Sequence, residues 1–132
     1  MTADRHEDTT QTDTTDAKTP EKRPTVVDTD TASDDAQALL YALQTDRLDV
    51  RAVTVVAGNV EFEAQLDNAA YTLSLADADV PLAAGARRPL AKSWDHAEAV
   101  HGETGLGEVT HDTTATATRE YGPETILRLS RE

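Results

Sequence analysis

Val26-Val27-Asp28-Thr29-Asp30-Thr31-Ala32-Ser33-Asp34-Asp35-Ala36 is the stretch that decides the fold. Two β-branched residues read as the end of a strand, and the run from Ala36 to Leu43 reads as helix. Between them four aspartates fall within eight residues. A strand that ends in carboxylates and turns at once into a helix carries them to the carboxyl edge of a sheet, where open α/β proteins bind ligands. Carboxylates so crowded repel unless a cation, protons or solvent offset them. Every available donor is a hard oxygen, which points to a divalent metal and to Ca²⁺ first. The bland alternative is solvated surface charge in an acidic protein.

The pattern continues outward from that stretch. Thr25 to Asp28 is the first strand, and Ser33 is the expected N-cap of a helix over Asp34–Thr45, with Ala36, Leu39, Leu40 and Leu43 at helical spacing. Asp34 and Asp35 then sit in the first turn, favoured by the positive end of the helix dipole. Val50–Ala57 reads as a buried second strand stopped by Gly58-Asn59. Glu61–Ala78 reads as a second amphipathic helix with Phe62, Leu66, Ala69, Ala70, Leu73 and Ala76 on one face. Val80–Ala84 is a third short strand closed by Gly85. The order β-α-β-α-β with short connections implies parallel strands and right-handed crossovers. Ala86–Gly107 is a long segment of little periodicity, of the kind that is functional or disordered. Val109–Thr118 is a Thr/Ala-rich connector, and Pro123–Arg131 a last helix with proline at its first position and Ile126, Leu127 and Leu129 for packing. The expected class is α/β, an open and mostly parallel sheet with flanking helices and a Rossmann-like βαβαβ start.

Met1–Arg23 is polar, Thr- and acid-rich, with no aliphatic side chain larger than alanine after Met1. Such a segment buries too little apolar surface to offset its ordering entropy and is expected to be a disordered tail. Pro24 opens the folded part, 24–132. Of 132 residues, 25 are acidic and 12 basic, a formal net charge of -13. That balance opposes binding to nucleic-acid backbone and to anionic membranes. Lysine occurs only at Lys18, Lys22 and Lys92. An acidic, lysine-poor surface suits concentrated salt, where self-repulsion is screened. A halophilic source is the resulting hypothesis, and the melting temperature is expected to rise in molar KCl. A maximum in dilute buffer would count against it. With no cysteine, disulfides and thiolate metal sites are excluded. No apolar run reaches the length of a membrane span and the N-terminus lacks a signal core, so the expected location is cytoplasmic.

Two motifs compete for the aspartates. An EF-hand loop starting at Asp28 needs glycine at its sixth position and glutamate at its twelfth; Ser33 and Leu39 stand there, and the match fails. A phosphatase of the haloacid dehalogenase type opens with D-x-D-x-T or D-x-D-x-V. Asp28 and Asp30 fit, but Ala32 does not, and Asp34-Asp35 is left without a role.

Three segments together resemble the nucleoside hydrolase family, inosine-uridine-preferring type. VVDTDTASDDAQALLYAL (26–43) looks like its first strand, D-x-D-x-x-x-D-D loop and first helix; VTVVAGNV (53–60) looks like its second strand and glycine-asparagine exit; HGETGLG (101–107) looks like its H-G-x-x-G-L segment. The departure is Thr31-Ala32-Ser33, where the family has Pro-Gly and an apolar residue, a change in turn stiffness rather than in carboxylates. The resemblance implies a hydrolase that cleaves the N-glycosidic bond of ribonucleosides, purine or pyrimidine, using Ca²⁺. It implies Asp30 as metal ligand and general base, Asp35 as second metal ligand, Asp34 on the ribose hydroxyls, Asn59 in the metal, water or ribose shell, and Asp28 in support. By position, His101 is a candidate acid for the leaving base, with His96 and Trp94 as base-contacting neighbours; plain polar loop residues are the alternative for all three. The family's domain is larger, and its further metal and sugar contacts come from segments this sequence lacks. The chain therefore resembles its N-terminal portion and is expected to need a complementing chain or self-association for turnover. An inactive remnant or metal-binding module is the alternative.

Overall fold

The computed structural model describes residues 21–91, 93 and 95–132. The expected tail lies outside the described residues up to residue 20, as do Lys92 and Trp94. Seven elements follow in order: β1 (Arg23–Thr29), α1 (Ser33–Gln44), β2 (Leu48–Val55), α2 (Phe62–Leu75), β3 (Leu82–Ala84), α3 (Glu98–His101) and α4 (Gly122–Leu129). The strands form one parallel sheet in the order β1-β2-β3. This is the expected α/β class with its βαβαβ start.

Sequential parallel strands joined by crossovers of one hand place both connecting helices on the same face. Accordingly α1 and α2 pack on each other and on β2. Along β2, Val53 and Val55 point to that face and close a core with Leu39, Phe62, Leu66, Ala69, Leu73 and Leu82. Each large side chain so buried contributes about 1.5–3 kcal/mol relative to exposure. Thr54, between the two valines, belongs to the opposite face by strand alternation, where α4 covers β2 and β3. Gly122 makes that approach possible: a Cβ there would lie 3.1 Å from the Gly85 Cα and 3.4 Å from the Thr54 Cβ.

Element bounds differ from the sequence expectations in several places. β1 begins at Arg23 instead of Thr25, because the Arg23 N–H pairs with the Arg47 carbonyl at 2.9 Å. β3 keeps only three residues, and α2 stops at Leu75, where Asp77 takes a positive φ of 50°. The α1 cap also moves: Ala32 is the N-cap and Ser33 the first helical residue. The Ala32 N–H donates to Asp35 Oδ2 at 3.3 Å, so the third helical residue reaches back to the cap. Leu127 does not pack; it is exposed on α4, while Ile126 and Leu129 are half-buried. The short α3 was not foreseen within the 86–107 segment. Among the described residues no helix is long and apolar enough to cross a membrane.

Candidate functional site

β1 ends at Thr29, and residues 30–32 form a three-residue turn into α1 at the carboxyl edge of the sheet. β2 ends beside it at Val55, and 56–61 leads into α2. These two loops meet through Asn59. Its backbone N–H donates to Asp30 Oδ2 at 3.1 Å, its side-chain amide donates to the Asp30 carbonyl at 3.2 Å, and the same amide nitrogen donates to Asp35 Oδ2 at 3.2 Å. One asparagine thus holds the carboxylates of Asp30 and Asp35 on a common side. Gln65, fully buried on α2, braces the second loop: its Nε2 donates to the Val56 carbonyl at 2.7 Å and its Oε1 accepts from the Val60 N–H at 3.1 Å.

Gly58 sits against Asp30 so closely that any Cβ would overlap the Asp30 carboxylate oxygen and come within 2.5 Å of the Asp30 Cβ. Its φ is not in the left-handed region, so the need for glycine here is space alone. Gly58→Ala is therefore expected to cost about 1–3 kcal/mol through overpacking and to displace Asp30 from Asn59. Thermal melting and the Asn59 amide resonance would report both; an unchanged melt and resonance would contradict the tight packing.

The four aspartates do not share one environment. Asp28 is exposed on the sheet face away from α1 and α2, and its Oδ1 accepts from the Thr54 hydroxyl at 2.5 Å, across the Asp28–Thr54 register pair. Asp30 and Asp35 are half-buried. The Asp34 side chain is 79% exposed, with Oδ1 3.8 Å from His101 Nδ1. Burial pushes the Asp35 carboxyl above its usual value; the Ala32 N–H holds it back, and the charges of Asp30 and Asp34 add to the rise. Among the described residues no three His, Asp or Glu side chains close on one point able to hold a metal. The residues present fit part of a hard-cation site, two carboxylates on one side of Asn59, and not a complete cage.

His101 comes to the same edge from α3, 68 residues along the chain: its Nδ1 lies 3.1 Å from the Ser33 hydroxyl, and its side chain is only 14% exposed. His96 is directed elsewhere, 3.4 Å from Glu98 and 3.7 Å from Glu61. The structure thus brings Asp30, Asp35 and Asn59 together, sets His101 and Asp34 beside them, and turns Asp28 to Thr54. Sequence reading took Gly58 only as the end of the second strand and passed over Gln65 and Asn68. The polar residues Gln65, Asn68 and Thr72 flank the apolar stripe of α2 at helical spacing, and that spacing was the available signal.

A model of the inosine-uridine preferring nucleoside hydrolase family matches residues 25–132. A non-specific ribonucleoside hydrolase of Klebsiella pneumoniae is 46% identical over 83 residues, 63% of this chain and 27% of that protein. A pyrimidine-specific ribonucleoside hydrolase of Photobacterium profundum is 46% identical over 85 residues, 64% of this chain and 27% of its own. Among solved structures, a purine-preferring ribonucleoside hydrolase from Gardnerella vaginalis superposes with a TM-score of 0.77 at 26% identity, over 83% of this chain and 37% of that one. A plant nucleoside hydrolase gives a TM-score of 0.76 at 30% identity, over 82% and 35% respectively. The matches to the curated relatives span about a quarter of those relatives' length. They set aside the phosphatase alternative for the aspartate motif. With the family model spanning the three quoted segments and the solved neighbours sharing the sheet, the chain belongs to the inosine-uridine preferring nucleoside hydrolase family.

Proposed function

We propose that this chain carries the cation- and ribose-binding part of a ribonucleoside hydrolase, with Ca²⁺ as the cation. The observation that carries the reading is Asn59 bonding both Asp30 and Asp35 at the carboxyl edge of β1 and β2. Asp30 and Asp35 are the cation's ligands from this chain, and further ligands must come from outside it, since Ca²⁺ takes about 6–8 oxygens. When bound, Ca²⁺ would supply the positive charge that acidifies a water and orients the ribose hydroxyls.

The chain's own residues account for the proton movements. Asp30 accepts a proton from the water that attacks C1′ of the ribose. The bond from C1′ to the base nitrogen breaks, and the carboxylates beside the sugar favour the positive charge developing there. Asp34, exposed and uncommitted to the Asn59 bridge, takes the ribose hydroxyls. His101 donates a proton to the departing base, with Asp34 Oδ1 3.8 Å from its Nδ1. Trp94 serves as a contact to the base, His96 is left to Glu98 and Glu61, and Asp28 supports the site only indirectly, by tying β1 to β2 through Thr54. Relatives named for different base preferences match this chain at equal identity, which supports assigning the sugar and cation to this part and the choice between bases to the rest of the domain.

A non-catalytic cation-binding module is the second reading, favoured by the two carboxylates that Asn59 joins with no third ligand closing on them among the described residues. Ca²⁺ titration by calorimetry and ribose release from inosine and uridine, in high salt, test both. The chain is measured alone, as a self-associated species, and with a polypeptide supplying the rest of the domain. Ribose release with the completing polypeptide supports the hydrolase; Ca²⁺ uptake without turnover supports the module; neither uptake nor turnover refutes both.

A further inference from the structure

Asn68 lies on α2, is 2% exposed, and takes no part in the chemistry assigned above. Every hydrogen-bonding group of its amide is nevertheless used. Its Nδ2 donates to the Thr31 carbonyl at 3.2 Å and to the Thr104 carbonyl at 2.8 Å. Thr31 lies in the aspartate turn, directly after Asp30. Thr104 lies in the glycine-rich loop three residues beyond His101. Two loops distant in sequence are therefore tied to one buried amide.

The orientation of that amide is itself fixed. With both N–H groups spent on carbonyls, Oδ1 must accept, so the His111 Nε2 that lies 3.0 Å away carries the hydrogen. The Thr113 N–H donates to His111 Nδ1 at 3.3 Å, consistent with the same tautomer. The His111 ring stacks on Tyr71 with centroids 4.3 Å apart and planes 12° apart, which holds it in place. Gly105 leaves room for the contact: it has φ +89°, and a Cβ there would lie 3.1 Å from Asn68 Nδ2.

We propose that Asn68, held in orientation by His111, is a positioning residue that clamps the aspartate turn to the glycine-rich loop and so sets His101 against Ser33 and the Asp30–Asp35 pair. The inference rests on reading these two loops as one site. A residue that only stabilised α2 would need one carbonyl partner at most; this one reaches a carbonyl on each side of the candidate site. Its loss is expected to leave the sheet intact while the two loops drift apart.

The test uses the full ¹⁵N-labelled chain. In Asn68→Leu, the amide resonances of β2 and α4 are expected to hold, while the His101 ring nitrogen shifts move toward those of an imidazole free of Ser33. Ca²⁺ affinity is expected to fall at least tenfold. His111→Leu, which frees the amide oxygen and removes the ring stack on Tyr71 but leaves Asn68 itself in place, is expected to move the His101 shifts in the same direction and decides the matter where Asn68→Leu does not fold. His111→Gln, with a side-chain N–H for the same oxygen, is expected to restore them. A lower melting temperature with unmoved His101 shifts in both variants would overturn the clamp. Failure of the parent chain to take up Ca²⁺ even with the completing polypeptide present would overturn the cation reading instead, and the His101 shifts would still decide the clamp.

Discussion

Asp30→Ala is expected to abolish ribose release by the completed enzyme, with the loss in kcat and not in KM for the base-bearing part of the substrate. Loss of a general base alone costs about a hundredfold to ten-thousandfold in rate, and here the same carboxylate is assigned to the cation. The structure provides a control for a merely structural effect. Asp30 Oδ2 accepts the Asn59 N–H, a bond that Asp30→Asn can keep through its amide oxygen. Asp30→Asn is therefore expected to melt close to the parent and still to be inactive. Trp94→Ala, by contrast, is expected to raise KM with kcat largely kept. If Asp30→Asn retained more than about a tenth of the parent kcat, the proton-accepting role would have to be given to another group, since that loss is smaller than the general-base range.

The sheet was legible because β1 and β2 carry β-branched runs and each strand is followed by residues that end it: the aspartates after Val27, Gly58-Asn59 beyond Val55 and Gly85 after the apolar Leu82–Ala84. Periodicity located the apolar face of α2 for the same reason: Phe62, Leu66, Ala69 and Leu73 all reach the core. What escaped is non-local. Ser33 has the composition of an N-cap, but its hydroxyl lies against His101, and a partner 68 residues away leaves no trace in the local pattern. Gln65 and Asn68 are polar, so a search for apolar stripes passes them over. Their partners are loop carbonyls and N–H groups, which carry no residue identity. The aspartate cluster was visible as a cluster, but not its division. Strand alternation alone turns Asp28 toward Thr54, while the turn and the first helical residues bring Asp30 and Asp35 to Asn59.

That division makes Asp35→Asn the sharpest remaining test, because it is expected to act in opposite directions with and without calcium. Burial first, then the charges of Asp30 and Asp34, raise the Asp35 carboxyl above its ordinary 3.8, against the opposing Ala32 N–H. A carboxyl whose value is raised on folding binds protons more tightly in the folded chain than in the unfolded one. Its ionisation therefore penalises the fold: the penalty is absent below pH 3.8, grows as pH rises through the raised value, and is constant at neutral pH. In chelator at pH 7, Asp35→Asn is expected to melt higher than the parent, and the difference is expected to vanish as the pH falls below 3.8. The neutral amide can still accept from the Ala32 N–H, so the cap is not what changes. Adding Ca²⁺ reverses the order. A ligand that binds only the folded chain stabilises it by RT ln(1 + [L]/Kd), about 2.7 kcal/mol at a hundredfold excess over Kd, and the parent alone is expected to gain it. Two melting curves that cross between chelator and calcium would tie the repulsion among these carboxylates to the cation that relieves it. Curves that keep the same order in both buffers, under conditions where calorimetry shows the parent taking up Ca²⁺, would mean that Asp35 is no ligand and that its burial serves the fold alone.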